Sequence, residues 1–140
     1  YSPLGDTWEW DGTMWTLRAT DGPPPRTAHA MVFDRARGRT VLFGGDGCSP
    51  WSVCGDTWQW DGQVWTLVSL AGPPPRMDHA MAYDSARSVT VLFGGRYPYS
   101  GDTWEFEPGP SNDADSDGVI NECDQCPLTP PSHGAAEEAG

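Results

Sequence analysis

GDTWEWDG at residues 5–12 returns as GDTWQWDG at residues 55–62, and the text between them returns too. WTL recurs at 15–17 and 65–67, GPPPR at 22–26 and 72–76, HAM at 29–31 and 79–81, and TVLFGG at 40–45 and 90–95. Aligning residues 5–47 with 55–97 leaves 27 of 43 positions identical. A third start, GDTWEF at 101–106, breaks off. Spacing near 50 residues is the signature of an array in which each unit cannot bury its own apolar face and is stabilised by stacking on the next. The repeat fills residues 1–107, little more than two units, whereas closed propellers carry roughly 4 to 8 blades. The remaining blades are therefore expected elsewhere in a longer chain or, less favourably, from self-association.

Each unit reads as a four-stranded antiparallel meander. Residues 26–34 form the first strand, with Ala28, Ala30 and Val32 alternating with His29, Met31 and Phe33. A turn at 34–39 leads into Thr40 to Phe43, an apolar run suited to a strand buried on both faces. Gly44 and Gly45 then end that strand. Thr57 to Trp60, the hairpin signal Asp61-Gly62, and Val64 to Leu67 complete the unit.

These residues carry a resemblance. A di-glycine after an apolar strand (Gly44-Gly45, Gly94-Gly95), an aromatic early in the next strand (Trp8, Trp58) and a Trp seven residues later (Trp15, Trp65) make residues 5–106 similar to kelch repeats. The resemblance implies an all-β fold, a partial kelch-type β-propeller whose usual work is binding proteins or glycans. Some relatives are oxidases, but no recognisable Tyr, Cys and His copper ligand set is present here. Sialidase Asp boxes share the Gly-x-Thr-Trp half of the motif. Their defining Asp position is held here by Pro3, Val53 and Tyr99, so that reading fails.

The net charge is −12 and all eight basic residues are Arg, which makes nucleic acid an improbable partner because phosphate binding needs a basic face. No hydrophobic run approaches the roughly 20 residues of a membrane helix. The four cysteines form two close pairs, Cys48 with Cys54 and Cys123 with Cys126. An even count at short spacing with no nearby His leans toward disulfides and an oxidising compartment, secreted or at the cell surface, although CxxC also suits a metal or redox site.

Chemistry is normally done once, while architecture recurs in every unit. His29 and His79, Arg26 and Arg76, Asp34 and Asp84, and Arg37 and Arg87 recur, so they are expected to make buried hydrogen bonds or Arg to Asp pairs stitching blades together. Zinc binding or general base work by His29 is the minority reading. The repeated Trp8, Trp10, Trp15, Trp58, Trp60, Trp65 and Trp104 read as packing between blades more than as a carbohydrate platform.

Symmetry breaks in the loop at 46–54, DGCSPWSVC, whose counterpart at 96–100 is RYPYS. This loop should leave the same face as the GPPPR connection, making one face variable, cysteine-braced and aromatic. Trp51, Tyr97 and Tyr99 are the candidates there for binding a protein or glycan partner.

Beyond the linker Pro108-Gly109-Pro110, the run NDADSDGVINECDQCP changes the composition. Asp113, Asp115, Asp117, Asn121 and Asp124 offer oxygen donors, Gly118 allows the sharp bend and Val119 offers a carbonyl, the spacing of a calcium loop. Asp124 stands where a longer bidentate Glu is usual. No helical pattern flanks it, and residues 113–127 resemble a thrombospondin type 3 repeat, which implies a calcium-loaded extracellular module. Residues 128–140 show no apolar period and read as a disordered tail. Together these features predict an extracellular or cell-surface binding or adhesion protein with a structural calcium connector, and no catalytic residue in this chain. The alternative is a fragment of a secreted propeller enzyme, glycan-active or an oxidase, whose catalytic residues lie in other blades.

Overall fold

A computed structural model describes residues 2–49 and 52–107, except for the side chain of Ser49. They belong to a first compact unit, Tyr1–Pro108; the second, Gly109–Gly140, falls outside the described residues. The described part is all-β and its sheets are antiparallel and open.

Strands β1 (Thr7–Trp10) and β2 (Trp15–Ala19) form a hairpin. Strands β3 (Ala30–Asp34), β4 (Arg39–Phe43), β7 (Thr57–Trp60) and β8 (Trp65–Ser69) form a four-stranded sheet in chain order. Strands β9 (Ala80–Asp84), β10 (Val89–Phe93) and β11 (Thr103–Phe106) make a three-stranded sheet. A small hairpin, β5 (Asp46–Ser49) with β6 (Ser52–Val53), was not foreseen and rises from the loop between β4 and β7. The expected four-stranded meander is thus complete only in the middle sheet.

Two boundaries move, for local reasons. The first strand was expected from Arg26, but β3 begins at Ala30 because Ala28 lies in the left-handed region at φ 54°, where a strand cannot continue. Its copy Asp78 does the same at φ 55°. Before that break, Thr27 makes an isolated bridge to Asp46, as Met77 does to Arg96. The outer strand was expected from Val64, but the Asp61 carboxylate accepts the backbone N–H groups of Gln63 and Val64, both at 2.8 Å, and holds Val64 in the turn. Strand β8 therefore starts at Trp65. Asp11 repeats the device with Thr13 and Met14 at 2.7 and 2.9 Å.

The core lies along β4 and β10. Val41, Leu42 and Phe43 are buried, as are Val89, Leu92 and Trp60. Register assigns the faces. Ala30, Phe43 and Thr57 share one face of the middle sheet, which packs toward the third sheet, where β3 meets β9. Met31, Leu42 and Trp58 share the other, toward the first hairpin. The expected Trp packing between units holds only where a neighbouring sheet is present: Trp60 is buried and donates Nε1–H to Glu9 Oε1 at 2.9 Å, and Trp65 donates to Thr7 Oγ1 at 2.8 Å. Trp10 and Trp15 stay exposed and tilt against each other at 5.6 Å.

Candidate functional site

The edge carrying the variable loops is built on a recurring clamp. Arg26, ending the GPPPR connection, reaches Asp56 of the GDTW motif with two bonds, NH1 to Oδ1 at 2.7 Å and NH2 to Oδ2 at 2.9 Å. It also donates to the Gly44 carbonyl at 3.0 Å and the Pro24 carbonyl at 3.0 Å, while Trp58 Nε1 donates to Asp56 Oδ2 at 2.5 Å. Arg76 repeats the fork onto Asp102 at 2.6 and 3.0 Å, with Gly94 and Pro74 carbonyls at 3.0 and 3.1 Å. Bidentate guanidinium to carboxylate bonds satisfy both planar groups at once, which is how a charged pair stays buried without an orphan donor.

The clamp corrects one expectation. Arg26 precedes β3 and Asp56 precedes β7, strands of the same sheet, so this Arg to Asp pair ties one sheet together instead of joining neighbours. Asp34 with Arg37 and Asp84 with Arg87 are local too, each bracing its own turn. Arg37 also reaches across sheets, NH1 donating to the Ser88 carbonyl at 3.1 Å, and beside it the Ala36 N–H donates to Tyr83 Oη at 3.2 Å. Asp56 and Asp102 were missed as clamp residues, although the joint recurrence of GPPPR and GDTW was the available signal.

Burial acts to raise the Asp56 pKa, but hydrogen bonds from Arg26 and Trp58 outweigh it and hold the carboxyl below the usual carboxylate range. Asp102 is lowered chiefly by Arg76, then by Ser100 and Trp104.

The histidines are packed, and their expected hydrogen bonds are not formed. His79 is buried, its ring edge-on to Phe43 at 5.5 Å, and neither nitrogen makes a hydrogen bond of good geometry; Nδ1 of half-buried His29 is likewise unpartnered. Burial and then the nearby Arg lower both pKa values, Arg76 for His79 and Arg26 for His29, so both rings are neutral at pH 7. Among the described residues no group of three His, Cys, Asp or Glu side chains converges on either ring, so neither has the partners a zinc site needs.

On this base sits the variable loop. Cys48 and Cys54 form a disulfide with Cα atoms 5.5 Å apart, closing the β5 and β6 hairpin as expected. Cys54 is 2% exposed; its N–H donates to Gly45 O at 2.7 Å and its carbonyl accepts from Arg76 N at 3.1 Å. The loop lies beside the GPPPR connection, bridged by Thr27 and Asp46 through bonds of 2.9 and 2.8 Å, which places both on one face as predicted. Both sulfur atoms approach Asp56 closely enough for a metal group, but the disulfide occupies them and Arg26 occupies the carboxylate.

The second loop is shorter and carries Arg96, which donates to Asp78 and stands 5.7 Å from the Tyr97 ring centroid. Tyr97 and Tyr99 are 61% and 89% exposed. Trp51, the third aromatic expected on this face, lies outside the described residues. So do the calcium candidates Asp113, Asp115, Asp117, Val119, Asn121 and Asp124, and Cys123 and Cys126. No helix among the described residues is long and apolar enough to cross a membrane. No protein-family model matches the chain, and no curated protein matches it.

Proposed function

We propose that this chain is part of an extracellular or cell-surface binding protein, a partial kelch-like propeller that offers its variable loops to a protein or glycan. One observation carries the reading: the change of loop length between the two units falls on one edge, where a disulfide-closed hairpin stands in one unit and a loop with two exposed tyrosines in the other, above clamps that are the same in both. A rigid base with differing aromatic loops is the arrangement of a binding surface, because the scaffold bears the ordering cost and the loops supply the contacts. The disulfide is compatible with an oxidising compartment. On this reading residues 113–127 hold calcium and stiffen a connector to whatever follows.

The test is a glycan array and a panel of extracellular matrix proteins probed with the chain and with Tyr97→Ala/Tyr99→Ala. Binding lost in the double variant at unchanged thermal stability is expected; equal binding by both proteins would sink the assignment of this face. Calcium is tested separately by titration calorimetry, where Asp115→Asn should weaken or abolish the heat of binding.

A further inference from the structure

The two Arg clamps match in every side-chain bond to the carboxylate but one. Asp102 accepts two bonds from Arg76, one from Trp104 Nε1 and one from Ser100 Oγ on its Oδ1, which fills the roughly four acceptor positions of a carboxylate. Asp56 accepts the matching bonds from Arg26 and Trp58, but among the described residues it has no counterpart of the Ser100 hydroxyl. The place that Ser100 holds before the third GDTW is held before the second by Cys54. Their backbones match as well: the Ser100 N–H donates to the Gly95 carbonyl at 3.1 Å, and the Cys54 N–H to the Gly45 carbonyl at 2.7 Å.

A sulfur in a disulfide carries no proton, so Cys54 cannot do what Ser100 does. The sulfurs are nevertheless beside the acceptor. Cys48 Sγ stands 3.9 Å from Asp56 Oδ1, and both sulfurs and one Asp56 oxygen lie within 4.8 Å of one another. Burial separates the two cysteines: Cys54 is buried and Cys48 only half-buried, so a thiol arriving from solvent meets Cys48 first. The Arg26 fork offsets the charge of Asp56 and with it the repulsion of an incoming thiolate.

We infer that Cys48 is a site of thiol–disulfide exchange with small thiols, with Cys54 as the leaving sulfur, kept in place as a buried donor to Asp56. The incoming thiolate attacks Cys48 Sγ, and the bond to Cys54 breaks as the new sulfur–sulfur bond forms. Cys54 leaves with the electron pair and takes from water the proton that the incoming thiol gave up. Its S–H then donates to Asp56 Oδ1, as Ser100 does to Asp102. The clamp gains the bond it lacks, which offsets part of the cost of opening the disulfide. What is released is the β5–β6 hairpin, whose pairing joins Asp46 to Val53 and Ser49 to Ser52. The sheet beneath keeps the pairing of β4 with β7 and the Gly44 N–H to Asp56 carbonyl bond at 3.2 Å. The inference rests on burial and clamp geometry, and stands whether or not the loop face binds a ligand.

Cys123→Ser/Cys126→Ser leaves one cysteine pair in the chain. Reduction of this folded protein by dithiothreitol is followed by acid quenching, alkylation and mass spectrometry. The rate is expected to rise in proportion to the dithiothreitol concentration, as attack on an accessible sulfur requires; a rate that levels off means that the bond opens only after unfolding and would overturn the proposal. The site is read by adding Cys54→Ser or Cys48→Ser and following adduct formation with glutathione disulfide. The remaining Cys48 should react faster than the remaining Cys54 by roughly tenfold or more, since Cys54 must await local opening; equal rates, or a faster Cys54, overturn the assignment. The donor is read by urea denaturation with Cys48→Ser present. The unfolding constant should be roughly fivefold larger with Cys54→Ala than with the Cys54 thiol, and Cys54→Ser, which copies Ser100, should restore it. Failure of Ser to restore stability would show that no donor acts on Asp56 from this position and would overturn the role given to the leaving sulfur.

Discussion

Arg26 shows how much one side chain decides. Its side chain is 3% exposed and its four bonds join the connection, the di-glycine and the GDTW motif. Truncation strands the Asp56 carboxylate in a buried site, so Arg26→Ala should lower unfolding stability by about 3 kcal/mol or more, measured by urea denaturation. His79 gives a pH dependence of defined sign. Its folded pKa is lowered below the ordinary value near 6.5, so the unfolded chain binds more protons and stability rises with pH. The contribution is complete above about pH 6.5 and is lost as the pH falls through the folded pKa. The thermal midpoint should therefore drop between pH 7.5 and 5.5, and His79→Gln should flatten that slope. An unchanged slope would mean that the ring does not titrate differently in the two states.

At the scale of elements, the turn from β4 into the following loop depends on absent side chains. Gly44 has φ 64°, and a Cβ there would stand 2.5 Å from the Arg76 carbonyl oxygen, at the point where the middle and third sheets are joined by the Gly45 N–H to Arg76 O bond. Gly12 also has positive φ, but a Cβ there meets open space. Gly44→Ala should therefore cost at least about 2 kcal/mol, combining left-handed strain with a backbone clash, while Gly12→Ala should cost only about 1 kcal/mol. Thermal melts of the pair check the contrast. The apolar run and the Asp61-Gly62 signal were enough to locate β4, β7 and the hairpin of β7 with β8, but not the β5–β6 hairpin. The ends of β3 and β8 were not legible, because each is set by a hydrogen bond or a left-handed residue that competes locally with the strand.

Across the whole molecule, burial is graded from the middle sheet outward. Strand β4 is paired on both edges and covered on both faces, whereas β1 and β2 have one partner each and β2 is largely exposed. Amide exchange should be slowest at Val41, Leu42 and Phe43 and fastest in β2; uniform protection would contradict the graded packing.

Several features of this protein needed only the sequence. The repeat, the all-β class, the strand cores, the Asp-Gly hairpins and the pairing of Cys48 with Cys54 follow from period, propensity and short spacing, which act within a few residues of chain. The partners of Arg26 and Arg76 and the packing of the histidines are different. Each depends on which groups meet across 26 residues of chain or more, and identical motifs acquire different surroundings according to whether a neighbouring sheet is there to cover them. Only the tertiary structure decides that, because burial and hydrogen-bond satisfaction belong to the assembled sheets and not to the letters that repeat.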